Sequence, residues 1–268
     1  MRAKKRLGQH FLESAWADKL VTAIEPQHDD RFLEIGPGAG ALTLRLALRV
    51  QHVTAVEIDP VMVAALRPKL PSNVELVQAD FLDVDLSRLA ADGPLRVAGN
   101  LPYNVSSPIL FRLVESYRTL RSPLDATLML QHEVAERLEA AEGSRDFGVL
   151  AILIQLNADV HRVLTLPPGA FRPMPAVRSA VVRLTFRPPA VAVSDMAMFE
   201  GMVRSIFTQR RKTLANAMRT FAEARGRLAA DVIAAAGIDG RRRPETLHLA
   251  ELARLVDVLA SPQPRAVL

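Results

Sequence analysis

Short apolar runs recur through the first two-thirds of the chain, each followed by residues with helical spacing. RFLEI (31–35), VTAVEI (53–58), VELVQ (74–78), LRVAG (95–99) and ATLMLQ (126–131) are brief and apolar nearly throughout, and predict buried strands. Between them, ALTLRLALRV and PVMVAALRPKL repeat their apolar residues at helical intervals. Strands alternating with helices require right-handed crossovers, so the pattern predicts a parallel sheet covered on both faces. DVHRVLTL and SAVVRLTF add an expected edge hairpin flanking the proline-rich PPGAFRPMPAVRS. From about Met196 the pattern changes. MFEGMVRSIFTQ, RRKTLANAMRTFAEA, RLAADVIAAAG and ETLHLAELARLVDVLA predict helices only, with Gly237 placed to stop the third and Pro244 at the entry to the fourth. The expected organisation is an α/β domain over residues 1–190 and a small all-helical domain over 191–268, joined by a linker at 188–194.

Composition narrows the classes. With 268 residues and 49% hydrophobic content, the chain can bury a sizeable core. Its longest apolar stretches, such as FGVLAILIQL, are too short to span a bilayer. MRAKKRLGQHF has basic residues with no apolar segment behind them, which predicts no secretory signal. No cysteine is present, which excludes disulfides, thiolate catalysis and cysteine metal sites. A cytoplasmic protein is expected. Charge is distributed unevenly. Residues 1–6 carry four basic and no acidic side chains, 7–200 hold 18 basic and 23 acidic, and 201–268 hold 12 basic and 6 acidic. Two positive ends suit a polyanionic partner; a solvated arginine-rich surface would give the same count.

FLEIGPGAGALTLRLA sets Gly36, Gly38 and Gly40 between a strand and a helix, where backbone amides can approach a ligand. Gly36, Gly38 and Ala41 also satisfy a loose dinucleotide pattern, so a nicotinamide cofactor stays open at this point. Glu57 ends the second strand 21 residues after Gly36 and can accept hydrogen bonds from both hydroxyls of a ribose. Asp80 follows the third strand and can accept from an exocyclic adenine amine, with Phe81 beside it. Each acid has a plainer reading, Glu57 as an exposed strand end and Asp80 as a helix cap. Together at successive carboxyl ends of one parallel sheet they mark the edge where such folds bind ligands.

The fourth strand runs into Asn100, Leu101, Pro102 and Tyr103. An adenine N6 amine is a poor nucleophile because its lone pair is delocalised into the ring. Two acceptors aimed at its hydrogens can hold it for alkylation, and the Asn100 side chain and Leu101 carbonyl can supply them. Pro102 biases Leu101 toward an extended backbone, and Tyr103 offers a face for stacking. Such a site works by position and local electrostatics. A base inside a helix cannot reach it, so the target must be flipped or unpaired. Taken singly, Pro102 would be a turn residue and Tyr103 a core aromatic.

KKRLGQHFL, EIGPGAGALT, NLPYNVSSPIL, MLQHEVAERL, FRPMPAVRSAVVRL and FTQRRKTLANAM, in this order, resemble the signatures of the ribosomal RNA adenine dimethyltransferases, most closely those acting on the bacterial small subunit. The resemblance implies a Rossmann-like S-adenosylmethionine-dependent methyltransferase sheet with a C-terminal helical domain. It implies that His10, Leu12, Gly36, Gly38, Glu57, Asp80, Phe81 and Asn100 hold the cofactor. It implies that Asn100, Leu101, Pro102 and Tyr103 hold the adenine, with Phe171 stacking from the other side. The implied reaction is N6,N6-dimethylation of two adjacent adenosines near the 3′ end of small-subunit ribosomal RNA, in an immature subunit. Arg210, Arg211 and Lys212 are then expected phosphate contacts, where a solvated helix face is the plainer reading. His10 stands where many members carry Asn, and His132 where many carry Lys. HEVAE lacks the second histidine of a helical zinc motif, so no metal is expected. No membrane partner is expected, and no surplus apolar helix face stands out, which predicts a monomer.

Three rivals remain. A large-subunit adenine methyltransferase would share the cofactor site and differ in its RNA. A non-catalytic RNA-binding assembly or transcription factor could use the same fold. A nicotinamide oxidoreductase would need a hydride-transfer acid or base, which the sequence does not supply.

Overall fold

The computed structural model describes residues 10–102 and 105–261. The chain folds into two compact units, 1–139 with 158–188, and 140–157 with 189–268. In the first unit the described elements are β1 (Phe11–Leu12), α1 (Ser14–Ile24), β2 (Arg31–Ile35), α2 (Thr43–Ala47), β3 (His52–Glu57), α3 (Pro60–Leu66), β4 (Val74–Gln78), α4 (Leu86–Ala90), β5 (Arg96–Asn100), α5 (Ser106–Leu120), β6 (Asp125–Gln131) and α6 (His132–Glu139). The chain then contributes α7 (Val149–Gln155) to the second unit and returns with β7 (Ala158–Leu166), β8 (Phe171–Arg172) and β9 (Ser179–Phe186).

Seven strands form one sheet in the order β4-β3-β2-β5-β6-β9-β7, and β1 pairs with β8 separately. The pairings among β4, β3, β2, β5 and β6 are parallel, while β9 runs antiparallel to both β6 and β7. The doubly covered parallel sheet and the edge hairpin are therefore as the hydrophobic pattern predicts. Two boundaries shift in ways that matter. The second strand ends at Glu57, leaving Ile58 outside it and 47% exposed. The fourth runs one residue further than the apolar run, so Asn100 is its last residue.

Packing explains the frame. Leu20, Val21 and Ile24 of α1 and Leu46 of α2 meet Phe32, Val53, Ala98 and Met129 of the sheet in one cluster. Each of these side chains other than that of Ala98 contributes about 1.5–3 kcal/mol by leaving water. At the opposite end from the strand carboxyl termini, Arg96 binds Asp30 and Asp125 and donates to the Ile24 carbonyl. That network ties the starts of β5 and β6 to the end of α1. Gly99 lies against β2 so closely that a Cβ there would stand 2.5 Å from the Ile35 carbonyl oxygen.

The second unit is helical: α7, then α8 (Met196–Phe207), α9 (Leu214–Glu223), α10 (Ala229–Ala235) and α11 (Leu249–Ala260). Its core includes Phe199, Met202, Val203, Leu214, Met218, Val232, Leu252 and Val256, all fully buried or nearly so. This unit takes residues 140–157 as well as the expected C-terminal segment, because α7 is apolar on most sides and its buried residues need helical partners. Gly237 does end a helix, with φ +67°. Pro244 does not open the last helix. It starts a short 3-10 turn, and α11 begins at Leu249 under a capping box in which the His248 amide donates to Glu251. Among the described residues no helix is long and apolar enough to cross a membrane.

Candidate active site

The ends of β2, β3 and β5, with the turn after β4, border a cavity of about 260 Å³. After β2 the chain turns through glycines with positive φ, a region that L side chains enter only at a cost. At Gly38 (φ +54°) a Cβ would come within 3.3 Å of the Phe11 ring, so the glycine lets β1 close over the turn. At Gly40 (φ +86°) it would come within 2.4 Å of Leu66.

Glu57 is not an exposed strand end. It is 6% exposed, and its two carboxylate oxygens accept from the amides of Gly38 (3.0 Å) and Asp59 (2.9 Å). A carboxylate oxygen has a second lone-pair site, so each remains able to accept once more. Asp80 accepts from the Leu82 amide at 2.9 Å to cap a short turn, the plainer of its two expected roles, and it also lines the cavity with Phe81.

Asn100 lines the cavity from the end of β5, with Leu101 and Pro102 beside it. Its Nδ2 donates to the His10 carbonyl at 2.8 Å. That bond fixes the amide plane and commits the donor end, leaving Oδ1 as an acceptor. Leu101 is buried, its amide donating to the Met129 carbonyl across to β6. The Pro102 carbonyl accepts from Val105, so the turn reading of the proline holds as well. Tyr103 lies outside the described residues, as do the basic side chains before His10. His10 itself is held on both sides. Its Nδ1 lies 2.7 Å from the Pro173 carbonyl, an acceptor only, so that nitrogen carries the proton. Leu12 also lines the cavity, in the β1 strand that pairs with β8.

Phe171 is not brought to this place. It pairs with Leu12 through its backbone, but its side chain is 0% exposed, packs among Leu20, Ile24 and Met129, and does not line the cavity. The expected stacking face is therefore turned into the core in this arrangement. The expected basic cluster is likewise divided. Residues 210–212 form a turn before α9, and Arg210 donates to Glu245 (2.9 Å) and to the Arg145 carbonyl (2.6 Å). Arg211 and Lys212 are exposed. His132 lies outside the cavity, with Nε2 3.0 Å from Arg162 and Nδ1 3.5 Å from Glu136. Among the described residues no group of side chains could hold a metal ion.

One charged cavity residue escaped the sequence reading. Glu34, inside β2, is 2% exposed and lines the cavity. Burial raises its carboxyl, hydrogen bonding with neighbouring Thr43 pulls the other way and the Glu57 carboxylate adds to the rise, so that the group is pushed up to about 7 in all. An acid within the otherwise apolar FLEI was the available signal.

Two solved structures share this architecture at high coverage. A dimethyladenosine transferase from Plasmodium falciparum superposes with a TM-score of 0.75, 24% identity, and coverage of 92% of this chain and 96% of that one. The 23S ribosomal RNA methyltransferase ErmE gives 0.66 and 27%, covering 94% and 100%. The fold is that of a Rossmann-like methyltransferase. The family model for ribosomal RNA adenine dimethylase matches residues 1–260. Relatives called ribosomal RNA small subunit methyltransferase A are 46% identical in Anaeromyxobacter sp. (strain K), over 95% of this chain and 93% of theirs, and 43% identical in Pseudomonas fluorescens, over 98% and 96%. The chain belongs to the ribosomal RNA adenine dimethylase family.

Proposed function

We propose that the protein uses S-adenosylmethionine to dimethylate N6 of two adjacent adenosines near the 3′ end of small-subunit ribosomal RNA, within an immature small subunit. The observation that carries this reading is the Asn100 amide, held by the His10 carbonyl at the rim of a cavity that Glu57 and Asp80 also line. The residues fit the cofactor: Glu57 keeps lone pairs for the ribose hydroxyls, Asp80 lies at the β4 end for the adenine amine, and the Gly36–Gly38 turn admits close backbone approach. His10, Leu12 and Phe81 complete the wall. When bound, the cofactor supplies an electrophilic methyl group on a sulfonium. Asn100 Oδ1 and the Leu101 carbonyl accept the two amine hydrogens and hold the nitrogen in line, with Pro102 setting the carbonyl direction and Tyr103 as the stacking face. Phe171, buried in the core, has no part in this proposal. The amine proton becomes acidic once the nitrogen is alkylated and leaves to water, so no strong base is needed.

Residues 191–268, extended by 140–157, are proposed as the unit that positions the subunit RNA, with Arg211 and Lys212 as phosphate contacts and Arg210 as their internal brace. An Arg211→Glu, Lys212→Glu double variant should bind small subunits more weakly, with the log–log salt slope reduced by about one per lost contact. Its cofactor affinity should stay unchanged; an unaltered salt slope would remove these residues from the interface. A cytoplasmic monomer fits the ribosomal substrate.

The fold alone does not choose the subunit, since ErmE shares it. Identity of 42–46% to relatives named for the small subunit favours that substrate. Labelled methyl groups should pass from S-adenosylmethionine into small subunits lacking the modification and appear as N6,N6-dimethyladenosine. Label only in large-subunit RNA would move the substrate to the ErmE-like alternative. Binding without any transfer would leave a non-catalytic factor.

A further inference from the structure

Asp80 is the polar group of the cavity with the least support from the sheet. Glu57 and Asn100 end β3 and β5, each of which has a paired strand on both sides. Asp80 follows β4, which lies at the edge of the sheet and pairs with β3 alone. It opens the short 3-10 turn Phe81–Asp83, which closes through its own bonds. The Leu82 amide donates to the Asp80 carboxylate, the Asp83 amide to the Asp80 carbonyl, and the Val84 amide to the Phe81 carbonyl. Those bonds set the shape of the turn and leave its place beside the cavity to be fixed from outside.

Arg112 supplies that outside contact. It lies on α5 three residues after Ile109, which lines the cavity, so the two share one side of the helix. Its Nη2 donates to the Val84 carbonyl at the far end of the turn. Among the described residues no carboxylate pairs with this half-buried guanidinium, and its Nε is buried without a hydrogen-bond partner. Drawing a cation part-way out of water is costly, and with no ion pair to offset the cost its retention points to the Val84 bond. We propose that Arg112 is a positioning residue: it holds the Asp80–Val84 turn against α5 and so sets the distance from the Asp80 carboxylate to the exocyclic amine of the cofactor's adenine. This rests on the methyltransferase reading above and goes beyond it by naming the residue that lets the site select adenine over other purines.

The helix is a firm anchor. Ile109, Leu110, Leu113 and Val114 are buried, so packing fixes α5 at the level of Arg112. The contact uses a single donor, unlike a bidentate arginine site, so a lysine ammonium can replace it. A shift of about 1 Å in the turn carries the carboxylate out of good hydrogen-bond geometry with the amine. Burial of the ring beside Phe81 and Ile58, which line the cavity, tolerates the same shift. Loss of Arg112 therefore costs adenine selectivity more than it costs binding as such.

Calorimetric titration of the full chain with S-adenosylhomocysteine and with S-inosylhomocysteine, which carries a carbonyl in place of the exocyclic amine, reads the selectivity as a ratio. The wild type should favour the adenine form by about tenfold or more. In Arg112→Met the ratio should fall to within about threefold of unity, through weaker binding of the adenine form with little change in the inosine form. Arg112→Lys should keep a ratio close to that of wild type. If the methionine variant does not fold, Arg112→Gln, whose amide ends short of the Val84 carbonyl, takes its place. A residue that only stabilises the fold would weaken both ligands alike or neither. An unchanged ratio in Arg112→Met therefore overturns the proposal, as does a lysine variant that matches methionine. Wild type that binds both ligands equally would remove Asp80 from the adenine site and this proposal with it. Wild type that binds neither would instead overturn the methyltransferase reading on which it stands.

Discussion

Asn100→Ala is expected to lower the rate of methyl transfer by about a hundredfold or more, equivalent to about 2.7 kcal/mol of lost transition-state stabilisation. The substitution removes two things together. Oδ1 is the side-chain acceptor for the target amine, and Nδ2 holds the His10 carbonyl at 2.8 Å and so anchors the segment leading into β1. Asn100→Asp separates them. A carboxylate keeps an acceptor for the amine but cannot donate to the His10 carbonyl, and it sets two acceptors against each other across that contact. Aspartate is therefore not expected to rescue the alanine variant. Single-turnover transfer under saturating cofactor isolates the chemical step from binding. A rate within threefold of wild type in Asn100→Ala would remove the side chain from the reaction and leave the backbone carbonyl of Leu101 as the sole acceptor.

What the sequence reveals and what it hides divide along the range of the interactions. Parallel strands covered on both faces must be apolar nearly throughout, which is why β2, β3, β5 and β6 are visible as runs. Glu57 and Asp80 are visible because polar residues ending such runs sit at the ligand-binding edge. Contacts between distant segments leave no such trace. The two residues of β1 are too few to show a period, and their partner strand is some 160 positions away. Phe171 beside a proline-rich loop gives no sign of which way its ring faces; its pairing with Leu12 turns the ring into the α1 core. Arg210 reads as one of three consecutive cations, and only the folded chain brings Glu245 and the Arg145 carbonyl to it. Glu34 is the opposite case, a local signal overlooked because EIG reads as the approach to a glycine turn. A buried strand tolerates an acid only where something makes it worth keeping.

The same residue gives a large effect on stability, readable without any ligand. The folded chain holds the Glu34 carboxyl near 7, above the ordinary value of 4.5 that applies when it is unfolded. Between those two values the folded state binds the proton more tightly. Its stabilising contribution is complete below the unfolded value, and is lost as pH rises through about 7. The full size is about 3 kcal/mol, the free-energy equivalent of moving the carboxyl from 4.5 to about 7. Glu34→Gln cannot ionise and carries no such dependence. Other carboxylates and histidines titrate over the same window, but they do so in both proteins and cancel in the comparison. Denaturant unfolding at about pH 5 and about pH 8 should therefore show wild type losing about 2 to 3 kcal/mol more than the variant, since at the lower pH the unfolded carboxyl is already largely ionised and part of the full effect is outside the interval. Parallel pH profiles for the two proteins would mean that Glu34 ionises freely in the folded chain.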